Sequence, residues 1–94
     1  MKKVLVVSSA NMDFVQRMHR VPQRGETVTE SMDYAYVPGG KGANSAVAFA
    51  RLGTDCVFCT CLGDDENGRV LRGLYEKEGI DTSHIAVSPT APTG

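Results

Sequence analysis

The chain opens on a short unbroken apolar run, Val4 to Val7, inside a β-rich stretch at 2–9. A run of that kind suits a central strand buried on both faces. Asn11 and Asp13 follow at its C-terminal end. Pro22 and Gly25 then mark a turn, and over 27–37 the pattern becomes strict alternation. Val28, Met32, Tyr34 and Tyr36 fall on one face, with Glu30 as its one polar member. Thr27, Thr29, Ser31 and Asp33 fall on the other. This is the period-2 signature of a strand with one wet side.

Beyond the glycines at 39–42 the period lengthens. Ala43, Ala46, Val47 and Ala50 recur at helical spacing, and Gly53 stands where a helix would stop. The segment from Cys56 to Leu62 returns to strand. Gly63-Asp64-Asp65 offers an N-cap for a second helix over 66–78, with Val70, Leu71 and Leu74 directed inward and Gly79 as its stop. A last short strand falls within 80–87, and SPTAPTG trails off as loop. Strands alternating with helices predict an α/β domain with a parallel sheet built from βαβ units. The excursion at about 14–37 is too long for an ordinary connection and is expected to form a small sheet of its own. Three core strands with two helices cover one face of a parallel sheet, whereas such sheets are normally covered on both. The 94 residues therefore look like the beginning of a larger domain.

Composition narrows the partners rather than the chemistry. Ten Lys and Arg against eleven Asp and Glu give a formal net charge of -1, so nothing electrostatic favours nucleic acid or an anionic membrane. Two lysines before Val4–Val7 imitate a signal peptide, but that run falls short of the roughly 7–15 apolar residues such a segment uses. No run approaches the ~18 residues of a membrane span. The three cysteines, Cys56, Cys59 and Cys61, are an odd number without an export signal, which predicts reduced thiols in the cytoplasm. Their C-x-x-C-x-C spacing invites zinc. On one strand, however, Cys59 and Cys61 would share a face and Cys56 would oppose them, and no second ligand pair follows besides the distant His84. They are expected to be small core residues, with no metal ligand in the chain. His19 and His84 have no carboxylate or nucleophile near them in sequence and are expected to be structural.

The stretch with chemical character is VPGGKGANSAV, 37–47. It is not a phosphate-binding P-loop: Ala35 stands at the first glycine position and Gly42 where Ser or Thr is required. Nor is it a dinucleotide fingerprint, because Ser45 takes the third glycine place. GDDENG fails as a calcium loop because Gly63 occupies the first ligand position. What remains is physical. Gly39, Gly40 and Gly42 permit close approach of the backbone, and the helix beginning near Ala43 directs N–H groups at that spot. Lys41 adds a mobile cation, and Asn44 a donor and an acceptor. A hinge with a solvated Lys41 is the plain alternative. Asn11 and Asp13 supply a second polar cluster at the carboxyl end of a strand, where open α/β sheets bind ligands. They could instead form an Asx turn. The two clusters together favour a polyol or sugar.

Asn11-x-Asp13, Pro22-x-x-Gly25-Glu26-Thr27, and Gly39-Gly40-Lys41-Gly42-Ala43-Asn44 with Ala46-Val47-Ala48 resemble the ribokinase/PfkB family of carbohydrate kinases. Leu62-Gly63-Asp64-Asp65-x-x-Gly68 and Glu78-Gly79-Ile80-Asp81 fit it too, so the resemblance spans nearly all 94 residues. It implies a Rossmann-like α/β domain with a small β-sheet lid at about 14–37. It also implies transfer of the ATP γ-phosphoryl to a sugar hydroxyl, in the case of D-ribose giving ribose 5-phosphate. Carried over by position, Asn11, Asp13, Gly39, Gly40, Lys41, Gly42 and Asn44 would bind the sugar. The lid would pair with that of a second copy in a homodimer. The family's catalytic aspartate, its glycine-rich anion hole, and its sites for ATP, Mg2+ and K+ lie in a C-terminal half beyond Gly94. No catalytic residue is therefore expected among these 94, and the segment alone should be inactive. A kinase for another sugar or a nucleoside, and a non-catalytic sugar-binding or dimerisation module, remain open alternatives.

Overall fold

The computed structural model describes residues 2–29 and 32–94; Glu30 and Ser31, assigned by the alternation to opposite faces of one strand, lie outside the described residues. In chain order the elements are β1 (Lys3–Val7), β2 (Asn11–Arg17), β3 (Asp33–Gly39), α1 (Lys41–Arg51), β4 (Asp55–Cys59), β5 (Cys61–Gly63), α2 (Glu66–Lys77) and β6 (Ala86–Ser88). β1 pairs with β4 and β5 with β6, both parallel, while β2 and β3 form a separate antiparallel pair. An isolated parallel bridge, Val57 to Asp81, extends the β1–β4 pair by one more segment of chain.

The core lies on one face of β1–β4. Register puts Val4 and Val6 beside Cys56 and Phe58. Ala43 and Ala46 of α1 and Leu71 and Tyr75 of α2 pack with Cys56 and Phe58 in a single buried cluster. The Phe58 and Tyr75 rings meet edge to face at 5.4 Å. The opposite face carries Leu5, 62% exposed, and Val7, 72% exposed. β1 is therefore not buried on both faces as its apolar run predicts. Alternation along the strand sends Val4 and Val6 inward and Leu5 and Val7 out, and both helices lie on the Phe58 side.

Helix ends follow their sequence signals. α1 and α2 close with Schellman motifs: Gly53 N–H and Gly79 N–H bond Ala50 O and Glu76 O, while Thr54 N–H and Ile80 N–H bond Phe49 O and Tyr75 O. Asp65 caps α2 as anticipated, its carboxylate accepting from Gly68 N–H at 2.8 Å. The inward stripe of α2 is Gly68, Leu71 and Tyr75. Val70 and Leu74, expected inside with Leu71, are 42% and 38% exposed. The small Gly68 lets the helix approach most closely there, which rotates the buried line toward Tyr75. Gly73 lies inside α2 with nothing near its missing side chain. Gly73→Ala is expected to stabilise the protein by about 0.5–1 kcal/mol through helix propensity, read as a rise in the chemical denaturation midpoint. A midpoint that falls would contradict an open, helical position.

Two strand boundaries differ from the sequence reading. Thr60 interrupts the expected single strand from Cys56 to Leu62, so Cys59 and Cys61 fall on different strands. Cys56 is buried, Cys59 half-buried and Cys61 exposed. The alternating strand expected over 27–37 is shifted to Asp33–Gly39, and residues 27–29 are irregular. Pairing to β2, rather than alternation alone, decides where it starts: Arg17 opposes Asp33 across the pair. Their side chains join in a bidentate ion pair at 2.8 and 2.6 Å. Among the described residues no helix is long and apolar enough to cross a membrane.

Candidate functional site

The chain leaves the core sheet after Val7. Ser8 N–H still bonds Cys59 O at 3.2 Å, and Asn11 then begins β2. Asn11 and Asp13 are thus not the end of the first strand, as the apolar run suggests, but the opening residues of the antiparallel pair. The small sheet starts at Asn11 and not near residue 14.

Register fixes its two faces. Asn11 opposes Gly39, Asp13 opposes Val37, Val15 opposes Ala35 and Arg17 opposes Asp33 on one face. Met12, Phe14 and Gln16 with Pro38, Tyr36 and Tyr34 make the other. Phe14 sits 5.8 Å from Tyr34 and 5.3 Å from Tyr36, ring centre to ring centre. All three rings are more than half exposed. One face is thus aromatic, while the other carries the polar pair at the end nearest the core. Of the residues expected on the apolar face, Tyr34 and Tyr36 share it, whereas Val28 and Met32 lie outside the strands.

β3 runs directly into α1 through the glycine turn. The Asp13 carboxylate lies against the α-carbon of Gly39, so closely that a side chain there would occupy the carboxylate's place. Gly40 is the N-cap of α1, with φ of 98° and ψ of 132°, and no side-chain hydrogen bond caps the helix. A β-carbon on Gly40 would come within 2.9 Å of Ser9 O and 3.1 Å of the Ala10 α-carbon. Gly42 is pressed against the Ser8 side chain in the same way. The segment 8–10 and the turn at 39–42 are therefore packed backbone on backbone. Ala43 N–H adds a 3.2 Å hydrogen bond to Ser9 O, and Asn44 N–H begins the helix with Gly40 O at 2.9 Å.

Close packing brings Asn11, Asp13, Gly39, Gly40 and Gly42 together around one turn. Lys41 is exposed in the first turn of α1. Asn44 lies elsewhere, in a cleft of about 340 Å³ shared with Pro38, Val47, Arg51, Leu74, Tyr75 and Glu78. Arg51 and Glu78 close that cleft's far end with hydrogen bonds of 3.0 and 2.6 Å. Two features escaped the sequence reading. Gly94 O accepts from Met12 N–H at 2.7 Å, so the C-terminal loop lies beside β2. Thr93, just before it, is held by Asp65. The signals were the TG pair at 93–94 and the second aspartate of Gly63-Asp64-Asp65.

Chemically, the turn offers an uncapped helix N-terminus, a carboxylate, an amide and a mobile ammonium. Oriented N–H groups and a carboxylate together suit a neutral polyhydroxylated ligand, which both accepts and donates. Among the described residues, no group of three or more His, Cys, Asp or Glu is placed to hold a metal ion.

Comparison with known proteins agrees over the whole segment. The family model for pfkB family carbohydrate kinases matches residues 1–94. The chain is 42% identical over 93 residues to a ribokinase of Haemophilus influenzae, covering 99% of this chain and 30% of that protein. It is 38% identical over 85 residues to an aminoimidazole riboside kinase of Salmonella typhimurium, covering 90% and 23%. The solved structure of Arabidopsis thaliana ribokinase complexed with ribose and ATP superposes with a TM-score of 0.83 at 32% identity, covering 96% of this chain and 29% of that one. The chain thus spans about 30% of the length of the first relative.

Proposed function

Because the chain belongs to the pfkB family of carbohydrate kinases and has that family's α/β fold, we propose that it is the sugar-binding part of an ATP-dependent ribose kinase. The whole protein would move the γ-phosphoryl of ATP to the 5-hydroxyl of D-ribose. The observation that carries this reading is the packing of Asp13 against Gly39, which aims a carboxylate and the neighbouring Asn11 at a glycine turn opening a helix. Each of these groups has its part in holding a sugar. The Asp13 carboxylate accepts from two adjacent hydroxyls, and Asn11 both donates and accepts. Backbone N–H groups at Gly40, Lys41 and Gly42 donate to ring or hydroxyl oxygens. Lys41 lies near the path of the phosphoryl group, whose spread charge a mobile cation stabilises. Asn44 is assigned to the sugar by the family resemblance alone, since here it lines a separate cleft. The base that takes the 5-hydroxyl proton and the nucleotide pocket lie outside these residues, so the 94-residue segment alone turns over no sugar.

ATP as phosphoryl donor follows from the family, and Mg2+ and K+ are expected with it. No residue of this segment is assigned to either cation. A cytoplasmic protein fits the three thiols, which the structure keeps unpaired. The second reading is a kinase for a nucleoside, favoured by the likeness to the Salmonella aminoimidazole riboside kinase. Assaying the full-length protein with ATP against D-ribose, D-fructose and a panel of ribosides separates the two. Fastest turnover of ribose to ribose 5-phosphate supports the first reading, and preference for a riboside supports the second.

The aromatic face of β2–β3 has its own consequence. Phe14, Tyr34 and Tyr36 form one exposed aromatic patch, and contiguous exposed apolar side chains mark interaction surfaces. We assign to it the lid-to-lid contact of a homodimer. In the full-length protein, Phe14→Ser with Tyr36→Ser is expected to turn a dimer into a monomer in sedimentation velocity. A variant that still sediments as a dimer places the interface elsewhere.

A further inference from the structure

Gly63-Asp64-Asp65-x-x-Gly68 does more than start a helix. The Asp65 carboxylate accepts three hydrogen bonds from two places in the chain. Gly68 N–H donates at 2.8 Å from the first turn of α2. Thr93 N–H donates at 2.8 Å and Thr93 Oγ1–H at 2.6 Å from the C-terminal loop, twenty-eight positions away in sequence. The Thr93 hydroxyl oxygen then accepts from Gly63 N–H at 2.9 Å. Both functions of the threonine hydroxyl are used, and the loop is tied to the β5–α2 corner at one residue.

The next residue is where the tie matters. Gly94 O accepts from Met12 N–H at 2.7 Å, on the edge of β2 facing away from β3. Met12 opposes Pro38 within the β2–β3 pair, and its own N–H is spent on the Gly94 carbonyl. A side chain on Gly94 would come within 2.6 Å of Asn11 Oδ1. Gly94 is thus seated against both Asn11 and Met12. The hydrogen bonds from Thr93 and Gly68 hold the Asp65 carboxyl below the ordinary aspartate range. A lowered folded value means that its contribution to stability is present above the unfolded carboxyl range and is lost as pH falls through the folded one.

We propose that Asp65 and Thr93 form a latch that positions the Asn11–Asp13 pair, by pinning Gly94 to the edge of β2. The latch touches no substrate. Asp65 and Thr93 are positioning residues for the sugar site, and the proposal rests on the sugar-kinase reading only for its catalytic consequence. Losing the hydroxyl of Thr93 removes two of the three bonds at the tie point, leaving the Thr93 N–H on Asp65 and the α2 cap in place. Asn11 and Asp13 then sample orientations that no longer match the sugar.

The test uses the full-length protein and two readouts, the hydrogen exchange rate of the Met12 amide and the Michaelis constants for D-ribose and ATP. Thr93→Val is expected to speed Met12 exchange at least about fivefold and to raise the ribose KM by about five- to tenfold, the size of one or two lost hydrogen bonds. The ATP KM should stay within about twofold, since neither Asp65 nor Thr93 is assigned to the nucleotide. Thr93→Ser, which keeps the hydroxyl, is expected to restore both readouts. Should Thr93→Val leave Met12 exchange unchanged, there is no latch. Should exchange rise while the ribose KM stays put, or both Michaelis constants rise together, the positioning role is overturned. A wild-type protein that phosphorylates no ribose fails the sugar-kinase reading instead, and the latch is then judged on Met12 exchange alone.

Discussion

Asp13→Ala in the full-length protein is expected to lower kcat/KM for ribose by about a hundredfold or more, with the ATP KM nearly unchanged. The size follows from the geometry. A hydrogen bond to a charged group contributes about 1.5–3 kcal/mol, so a carboxylate accepting from two hydroxyls is worth ~3 kcal/mol or more, and each 1.36 kcal/mol is tenfold. Asp13 is exposed, so the variant loses no core packing and folds as the wild type does. Asp13→Asn keeps the shape but not the charge, and should fall between, about tenfold down. Gly39→Ala should act in the same direction without touching a polar group, since the added methyl takes the space of the Asp13 carboxylate. Steady-state kinetics with ribose as the varied substrate reads all three. An Asp13→Ala enzyme with wild-type kcat/KM would remove Asp13 from the site.

Gly40→Ala is expected to cost stability before it costs chemistry. The position has φ of 98°, where an L residue carries strain of roughly 1–3 kcal/mol. The methyl would also meet Ser9 O at 2.9 Å and the Ala10 α-carbon at 3.1 Å, and these are backbone atoms that cannot swing aside. Overpacking of that kind adds about 1–3 kcal/mol. The sum is a large part of the 5–15 kcal/mol that holds an ordinary domain together. Thermal denaturation of the full-length variant should show a fall in Tm of roughly 5–10 °C. Gly25→Ala is the control. Its φ is 78°, yet nothing lies near the missing side chain, so only the conformational strain of about 1 kcal/mol applies. If the two variants melt together, the contact between segment 8–10 and the glycine turn is not what constrains Gly40.

The residue pattern carried the order of elements further than their faces. Glycine stops, the Asp65 cap and the change from period 2 to period 3.6 are local events, and each lies where the sequence puts it. What local patterns do not contain is the partner. β1 reads as apolar throughout, and only the placement of both helices on the Phe58 side decides that Leu5 and Val7 stay open. In α2, Val70, Leu71 and Leu74 satisfy a helical stripe as well as Gly68, Leu71 and Tyr75 do. The close approach at Gly68 chooses between them. The site shows the same division. Asn11, Asp13 and the glycines are legible as polar and flexible residues beside an apolar frame, but alternation could not reveal that Asn11 begins a new strand. That follows from its pairing with Gly39, which brings the two clusters together. The latch at Thr93 depends on contacts across twenty-eight residues, beyond the reach of any local pattern.

The measurement that bears most directly on the account is a calorimetric titration of D-ribose into the full-length protein and its Asp13→Ala variant. One ribose per chain is expected on the wild type, with affinity reduced about a hundredfold in the variant. Equal affinity in the two proteins would contradict a sugar site built from Asn11, Asp13 and the glycine turn.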